Sequence, residues 1–216
     1  MVNPYPNSYL VTPGNGKGPG ILAVHAWWGL NQFFIDFCDR LSNEGYVVLA
    51  PDLYKGKTAT TIEEAKLLRS KLNQQRAHSD LLGMVDYLHH LEVVTSNTIG
   101  IIGFSLGARF ALELSAEHVK PINPVVVFYG NSNIDYSSSQ AAYLGHFAEE
   151  DEYTALSGIK KLEKNLKTAG RPFTYNIYPG TGHWFFEKDQ TSSYDEQAAL
   201  LAWGRTIAFL EQHMKA

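Results

Sequence analysis

Ser105 stands between two glycines in Gly103-Phe104-Ser105-Leu106-Gly107, where the apolar run Ile99 to Ile102 gives way to a helix-forming stretch, Leu106 to Ser115. A strand that turns at once into a helix holds the side chain between them on a sharp, strained bend. Glycine is needed two positions before and two after, because a Cβ there would strike neighbouring backbone. Such a serine projects from the end of a sheet, with the free amides of the helix N-terminus facing its oxygen. Nucleophilic attack on a carbonyl carbon is the chemistry open to it, provided that a base takes its proton.

Eight histidines could supply that base. His183 lies in the glycine-rich stretch Tyr178-Pro179-Gly180-Thr181-Gly182-His183-Trp184, between a strand pattern and the last helix pattern. That position is the carboxyl edge of a sheet, where open α/β proteins bind their ligands and where Ser105 also falls. His146, near a strand end, is the rival; His78, His89, His90, His118 and His213 fall in helical segments. A carboxylate must then orient the imidazole. Asp151 follows the strand pattern ending near Phe147, and its short reach suits a loop, although Glu149, Glu150 and Glu152 surround it. The backbone amides of Leu106, next after the serine, and of Trp27, in the loop His25-Ala26-Trp27-Trp28-Gly29, are placed to receive a developing oxyanion. The chain order Ser, Asp, His is that of the α/β-hydrolases.

The rest of the chain must carry these groups to one place. Continuous apolar runs at Ile21–Val24, Tyr46–Ala50, Thr98–Ile102 and Val125–Tyr129 read as parallel strands covered on both faces, and further strands are expected at Ala141–Phe147 and Phe173–Tyr178. Helix patterns lie between them: Phe33–Asn43, closed by Gly45; a region from Thr61 to about Glu92, as one helix or as two meeting near Asn73; Tyr153–Ala169; and Ser193–Met214, with Leu200, Trp203, Ile207 and Leu210 aligned. The Thr61-Ile62-Glu63-Glu64 stretch has capping-box spacing. Alternating strands and helices predict an α/β fold with a mostly parallel central sheet flanked by helices, in one domain over residues 1–216. The Asn- and Ser-rich segment Gly130–Gln140 is too short for a lid domain.

Composition narrows the partners. With 44% apolar residues, 19% charged residues and a net charge of −4, the chain reads as a soluble protein with no polyanion-binding surface, so nucleic acid is excluded as a partner. No stretch approaches the roughly 20 apolar residues of a membrane span, and the N-terminus lacks the pattern of a signal peptide. One cysteine, Cys38, cannot form an internal disulfide and suits a reducing, cytoplasmic setting. No residue cluster has metal-ligand spacing, and GFSLG is not a dinucleotide fingerprint, so neither metal nor organic cofactor is expected.

Five separated segments, ILAVHAWWGLN, APDLYKGKTAT, GFSLGARFA, HFAEEDEYT and YPGTGHWFFE, together resemble the dienelactone hydrolase family of α/β-hydrolases. The likeness runs from about Gly20 to the final helix and implies a compact fold without a lid. It implies a triad on Ser105, Asp151 and His183 and oxyanion donors on the amides of Trp27 and Leu106. Three positions depart from the family. Its best-known members carry cysteine where this chain has Ser105, a glutamate where it has Ala26, and an arginine that binds a substrate carboxylate where it has Glu187. Glu187 would repel such a carboxylate, so uncharged substrates are expected, in an apolar pocket drawn from Trp27, Trp28, Phe34, Tyr54, Tyr129, Trp184 and Phe185. The expected activity is hydrolysis of a small carboxylic ester or lactone through an acyl-enzyme, by a monomer or homodimer. The competing readings are a non-catalytic small-molecule binder on the same fold and a carbon–carbon hydrolase or perhydrolase.

Overall fold

A computed structural model describes residues 5–117 and 122–214; His118 lies outside the described residues. In chain order the elements are β1 (Tyr9–Val11), β2 (Gly18–Val24), α1 (Gln32–Asn43), β3 (Val47–Ala50), α2 (Ile62–Lys71), α3 (Gln74–His89) and β4 (Val94–Phe104). After them come α4 (Leu106–Ser115), β5 (Ile122–Phe128), β6 (Tyr143–Glu150), α5 (Leu156–Thr168), β7 (Phe173–Gly182) and α6 (Glu196–Met214). The strands form one sheet in the order β1-β3-β2-β4-β5-β6-β7, parallel throughout except for β1, which runs antiparallel to β3. Ile21–Val24, Val47–Ala50 and Val125–Phe128 are buried, as parallel strands clothed by helices on both faces must be. Helices α1 and α6 meet where Phe37 packs edge-on to Trp203 and the Arg40 guanidinium lies 3.7 Å over the Trp203 ring.

Helix starts follow local capping chemistry. The Asn31 side chain accepts the Phe34 amide at the start of α1, and Thr61 and Glu64 cap α2 reciprocally. Asn73 accepts the Arg76 amide at 3.0 Å and Leu72 is extended, so the long helical region is two helices. Helix α5 begins later than its pattern indicates, because the amides of Tyr153 and Thr154 bond to Asp151 in a turn instead. The buried face of α6 is Ala199, Ala202, Trp203, Thr206, Leu210 and Met214; Leu200, expected on that face, is 58% exposed.

Sheet order prepares the site. The chain moves from β2 outward to β3, then crosses back to β4 on the other side of β2, which opens a crevice at the carboxyl ends of β2 and β4. Val24 pairs with Gly103, so the loop after β2 lies beside Ser105. Glu150 pairs with Gly182, so the next residues along, Asp151 and His183, leave the sheet side by side. No element among the described residues forms a lid over this edge.

Candidate active site

Ser105 has φ +49° and ψ −105°, a conformation that costs a non-glycine residue energy and persists only where its surroundings enforce it. Those surroundings are close backbone. A Cβ on Gly103 would fall against the Gly107 carbonyl and 2.7 Å from the Ala108 Cα, and one on Gly107 would fall against the Val24 carbonyl and 2.7 Å from that of His25. The Ser105 amide donates to the Phe128 carbonyl at 3.0 Å and ties the turn to β5. Gly107→Ala is therefore expected to lower the unfolding free energy by about 3 kcal/mol or more, since backbone cannot yield as a side chain does. Urea unfolding would show this; a loss under about 1 kcal/mol would contradict the packing described.

The Ser105 Oγ lies 2.9 Å from His183 Nε2, and His183 Nδ1 lies 2.9 and 2.8 Å from the two Asp151 carboxylate oxygens. An ionised carboxylate only accepts, so Nδ1 carries the proton and Nε2 offers its lone pair to the serine hydroxyl. Asp151 Oδ1 also accepts the amides of Tyr153 and Thr154, each at 2.8 Å. The Thr154 hydroxyl in turn donates to the Tyr129 carbonyl at 2.9 Å. Rings of Tyr129, Tyr153 and Trp184 pack around the imidazole with centroids 4.8–5.0 Å away. The side chains of His183 and Asp151 are only 3% and 2% exposed, so water competes little for either. Glu149 is engaged elsewhere, accepting the Gly180 amide.

A cavity of about 190 Å³ opens over the Ser105 hydroxyl, lined by Trp27, Leu106, Tyr129, Tyr153, Arg69 and Arg109 among others. Of the two expected oxyanion donors, both residues line the cavity: Trp27 N–H meets no backbone acceptor among the described residues, and Leu106 opens α4, where amides lack helical partners. Of the aromatic residues expected to form the pocket, Trp27 and Tyr129 line it. Trp28, Phe34 and Phe185 are buried in the core, Trp184 stacks behind Trp27, and Tyr54 borders a separate cavity against α2 and α3.

Charge at the cavity also differs from expectation. Glu187 does not face it. The carboxyl group is fully buried, Oε1 accepts the Tyr129 hydroxyl at 2.6 Å, and burial pushes its pKa well above the usual carboxylate range. Sequestered against the Tyr129 hydroxyl, the carboxyl group is not at the cavity wall, where it could repel a substrate. Two arginines, Arg69 and Arg109, line the cavity instead, and the Arg109 guanidinium is paired with Glu113 at 2.7 Å. Arg109 lies one helical turn beyond Ser105, a spacing that could have marked it; Arg69 sits on another helix with no local motif.

His146 is fully buried, with Nδ1 2.8 Å from the Tyr178 hydroxyl and Nε2 3.0 Å from the Thr206 hydroxyl. It belongs to the core. Burial lowers its pKa to about 3, below the unfolded value near 6.5. Below pH 6.5 the unfolded chain therefore binds a proton that the folded one refuses. The stability this residue allows is present above pH 6.5 and is lost as pH falls toward 3, by about 1.4 kcal/mol per unit. Unfolding free energies measured from pH 7 to 4.5 should fall more steeply for the native protein than for His146→Gln; equal slopes would contradict the assignment.

A mostly parallel sheet with a strained serine turn at its centre places this protein among the α/β-hydrolases. Comparison with known proteins narrows the class. A match to the dienelactone hydrolase family spans residues 7–214, and the chain belongs to that family, whose activity is hydrolysis of ester or lactone bonds. It is 28% identical over 215 residues to "Protein usf" of Aquifex pyrophilus, covering 95% of this chain and 93% of that one. It is 26% identical over 216 residues to a "Putative carboxymethylenebutenolidase" of Aquifex aeolicus, covering 96% and 93%. Its fold matches a crystal structure of a dienelactone hydrolase-like promiscuous phosphotriesterase from metagenomic libraries, with a TM-score of 0.86, 18% identity, and coverage of 96% and 92%. No helix among the described residues is long and apolar enough to cross a membrane.

Proposed function

We propose that this protein is a one-domain serine hydrolase that cleaves small carboxylic esters or lactones through an acyl-enzyme on Ser105. The observation that carries the reading is the continuous hydrogen-bonded line from the Ser105 hydroxyl through His183 to Asp151, with 2.9 Å at the serine end. His183 Nε2 takes the hydroxyl proton as Ser105 Oγ bonds to the carbonyl carbon. The carbonyl oxygen becomes an oxyanion held by the Trp27 and Leu106 amides, and Asp151 steadies the imidazolium. Collapse breaks the bond to the leaving oxygen, which His183 protonates. Water then attacks the acyl carbon, gives its proton to His183, and Ser105 recovers its own as the acid departs.

The cavity admits a small acyl or alcohol group. Arg69 and Arg109 favour a substrate with an anionic substituent, in place of the uncharged one that Glu187 implied. Serine in place of cysteine fits Ala26, because a hydroxyl gains little from a carboxylate that tunes a thiol. The family's cysteine has no substitute in Cys38, which is fully buried on α1 with its pKa pushed up by burial. The single buried thiol accords with a cytoplasmic location.

A panel of short p-nitrophenyl esters, lactones with and without a carboxylate, and carbon–carbon diketones tests the reading by product analysis. Esters or lactones should turn over, with lower KM for the anionic lactones. Turnover confined to diketones would overturn the ester assignment, and no turnover of any class would favour a binding protein.

A further inference from the structure

His25 is fully buried and stands outside the catalytic line. Its ring packs against Tyr54 and Phe34, with centroids 5.4 and 6.1 Å away, two of the aromatic residues that the cavity does not use. Each ring nitrogen has one backbone partner. The Leu53 amide lies 3.1 Å from Nε2, and since an amide only donates, Nε2 must be the unprotonated nitrogen. The proton of the neutral ring therefore sits on Nδ1, which donates to the Ala26 carbonyl at 2.5 Å. Burial disfavours the doubly protonated ring that would break this arrangement.

The Ala26 carbonyl and the Trp27 amide belong to one planar trans peptide, so the direction of the oxygen dictates the opposite direction for the hydrogen. We infer that His25 is a positioning residue for the oxyanion hole: by bonding the Ala26 oxygen on the core side, it aims the Trp27 N–H into the cavity over Ser105. A hydrogen bond accepted by the carbonyl also polarises the peptide and strengthens its N–H as a donor. The Gly29 amide reaches the same oxygen at 3.3 Å and closes the turn, but it is the longer bond and comes from within the loop being aimed. His25 instead hangs from the end of β2 and is fixed at its far nitrogen by the segment after β3. Two elements of the scaffold thus set the orientation of a peptide in a loop.

The inference rests on the serine-hydrolase reading, and one set of variants separates the two. His25→Asn places an N–H donor where Nδ1 stood and gives up the Leu53 bond. His25→Gln reaches the Leu53 amide and gives up the Ala26 bond. With a short p-nitrophenyl ester, His25→Gln should lose about 10- to 100-fold in kcat with KM within about threefold, because the donor acts on the transition state; complete loss of an oxyanion donor costs about 10²–10³. The affinity of a trifluoromethyl ketone, which forms the tetrahedral adduct, should fall by a similar factor. His25→Asn should stay within about fivefold of the native kcat. A merely structural tether between loops would make the two variants equivalent, so equal kcat values overturn the inference, as does native kcat in His25→Gln. Should neither variant fold, ¹⁵N shifts of the native imidazoles decide: Nδ1 protonated supports the inference, and Nε2 protonated overturns it. A Ser105→Ala control that keeps native turnover would instead bring down the underlying reading.

Discussion

Ser105→Ala is expected to lower kcat for short esters by about 10⁴-fold or more while leaving the unfolding free energy from urea denaturation within about 0.5 kcal/mol of native. The size follows from what is removed. Without Oγ there is no acyl-enzyme, and the remaining rate comes from water attacking a substrate held by the cavity and the two amides, as residual catalysis does in triads of this kind. The stability expectation follows from the environment of the hydroxyl. It makes one bond, to His183 at the cavity wall, and the Ser105 amide that anchors the turn to β5 is kept. Adding His183→Ala to this variant should cost little more, because serine and imidazole act as one unit. Steady-state kinetics on the two single variants and the double variant checks both points. Additive losses, or a Ser105→Ala rate within tenfold of native, would contradict a nucleophile at this position.

Asp151→Asn should cost about 10⁴-fold in kcat with the fold intact, and the hydrogen bonds at Asp151 say why. Oδ1 accepts the Tyr153 and Thr154 amides at 2.8 Å each, so an asparagine must place its carbonyl oxygen there. Its NH₂ group then faces His183 Nδ1 and can only donate to it. That inverts the imidazole tautomer, puts the proton on Nε2, and leaves no lone pair for the serine hydroxyl. Measured kcat with an unchanged circular dichroism spectrum is the check. A loss below tenfold would contradict the role of Asp151 and return attention to Glu150 and Glu152.

The parts of this molecule that were legible in its residues are those set by local constraint. Gly103 and Gly107 announced the serine turn because no other residue fits so close to backbone, and Leu106–Ser115 is the helix that followed. Buried parallel strands announced themselves as continuous apolar runs. Strand β1 did not: three half-buried residues at a sheet edge carry no periodicity to read. The early part of β4 alternates half-buried and exposed positions, but Thr95, Ser96 and Asn97 are polar, so no apolar run marks a strand before Thr98. The cavity wall was the least legible. Rings at Phe34 and Phe185 look alike in sequence whether they turn toward substrate or core, and only tertiary packing buries both. Glu187 shows the same limit for charge: its place four residues after His183 implies repulsion, whereas tertiary packing buries it against the Tyr129 hydroxyl, away from the cavity, and burial raises its pKa.

The most direct test of the central claim, that Ser105 is an activated nucleophile, is reaction with a fluorophosphonate followed by intact-mass measurement and peptide mapping. One adduct per chain on Ser105, absent from Ser105→Ala and strongly slowed in His183→Ala, is the predicted result. An unmodified chain under conditions that label a known serine esterase, or an adduct carried on another residue, would contradict it.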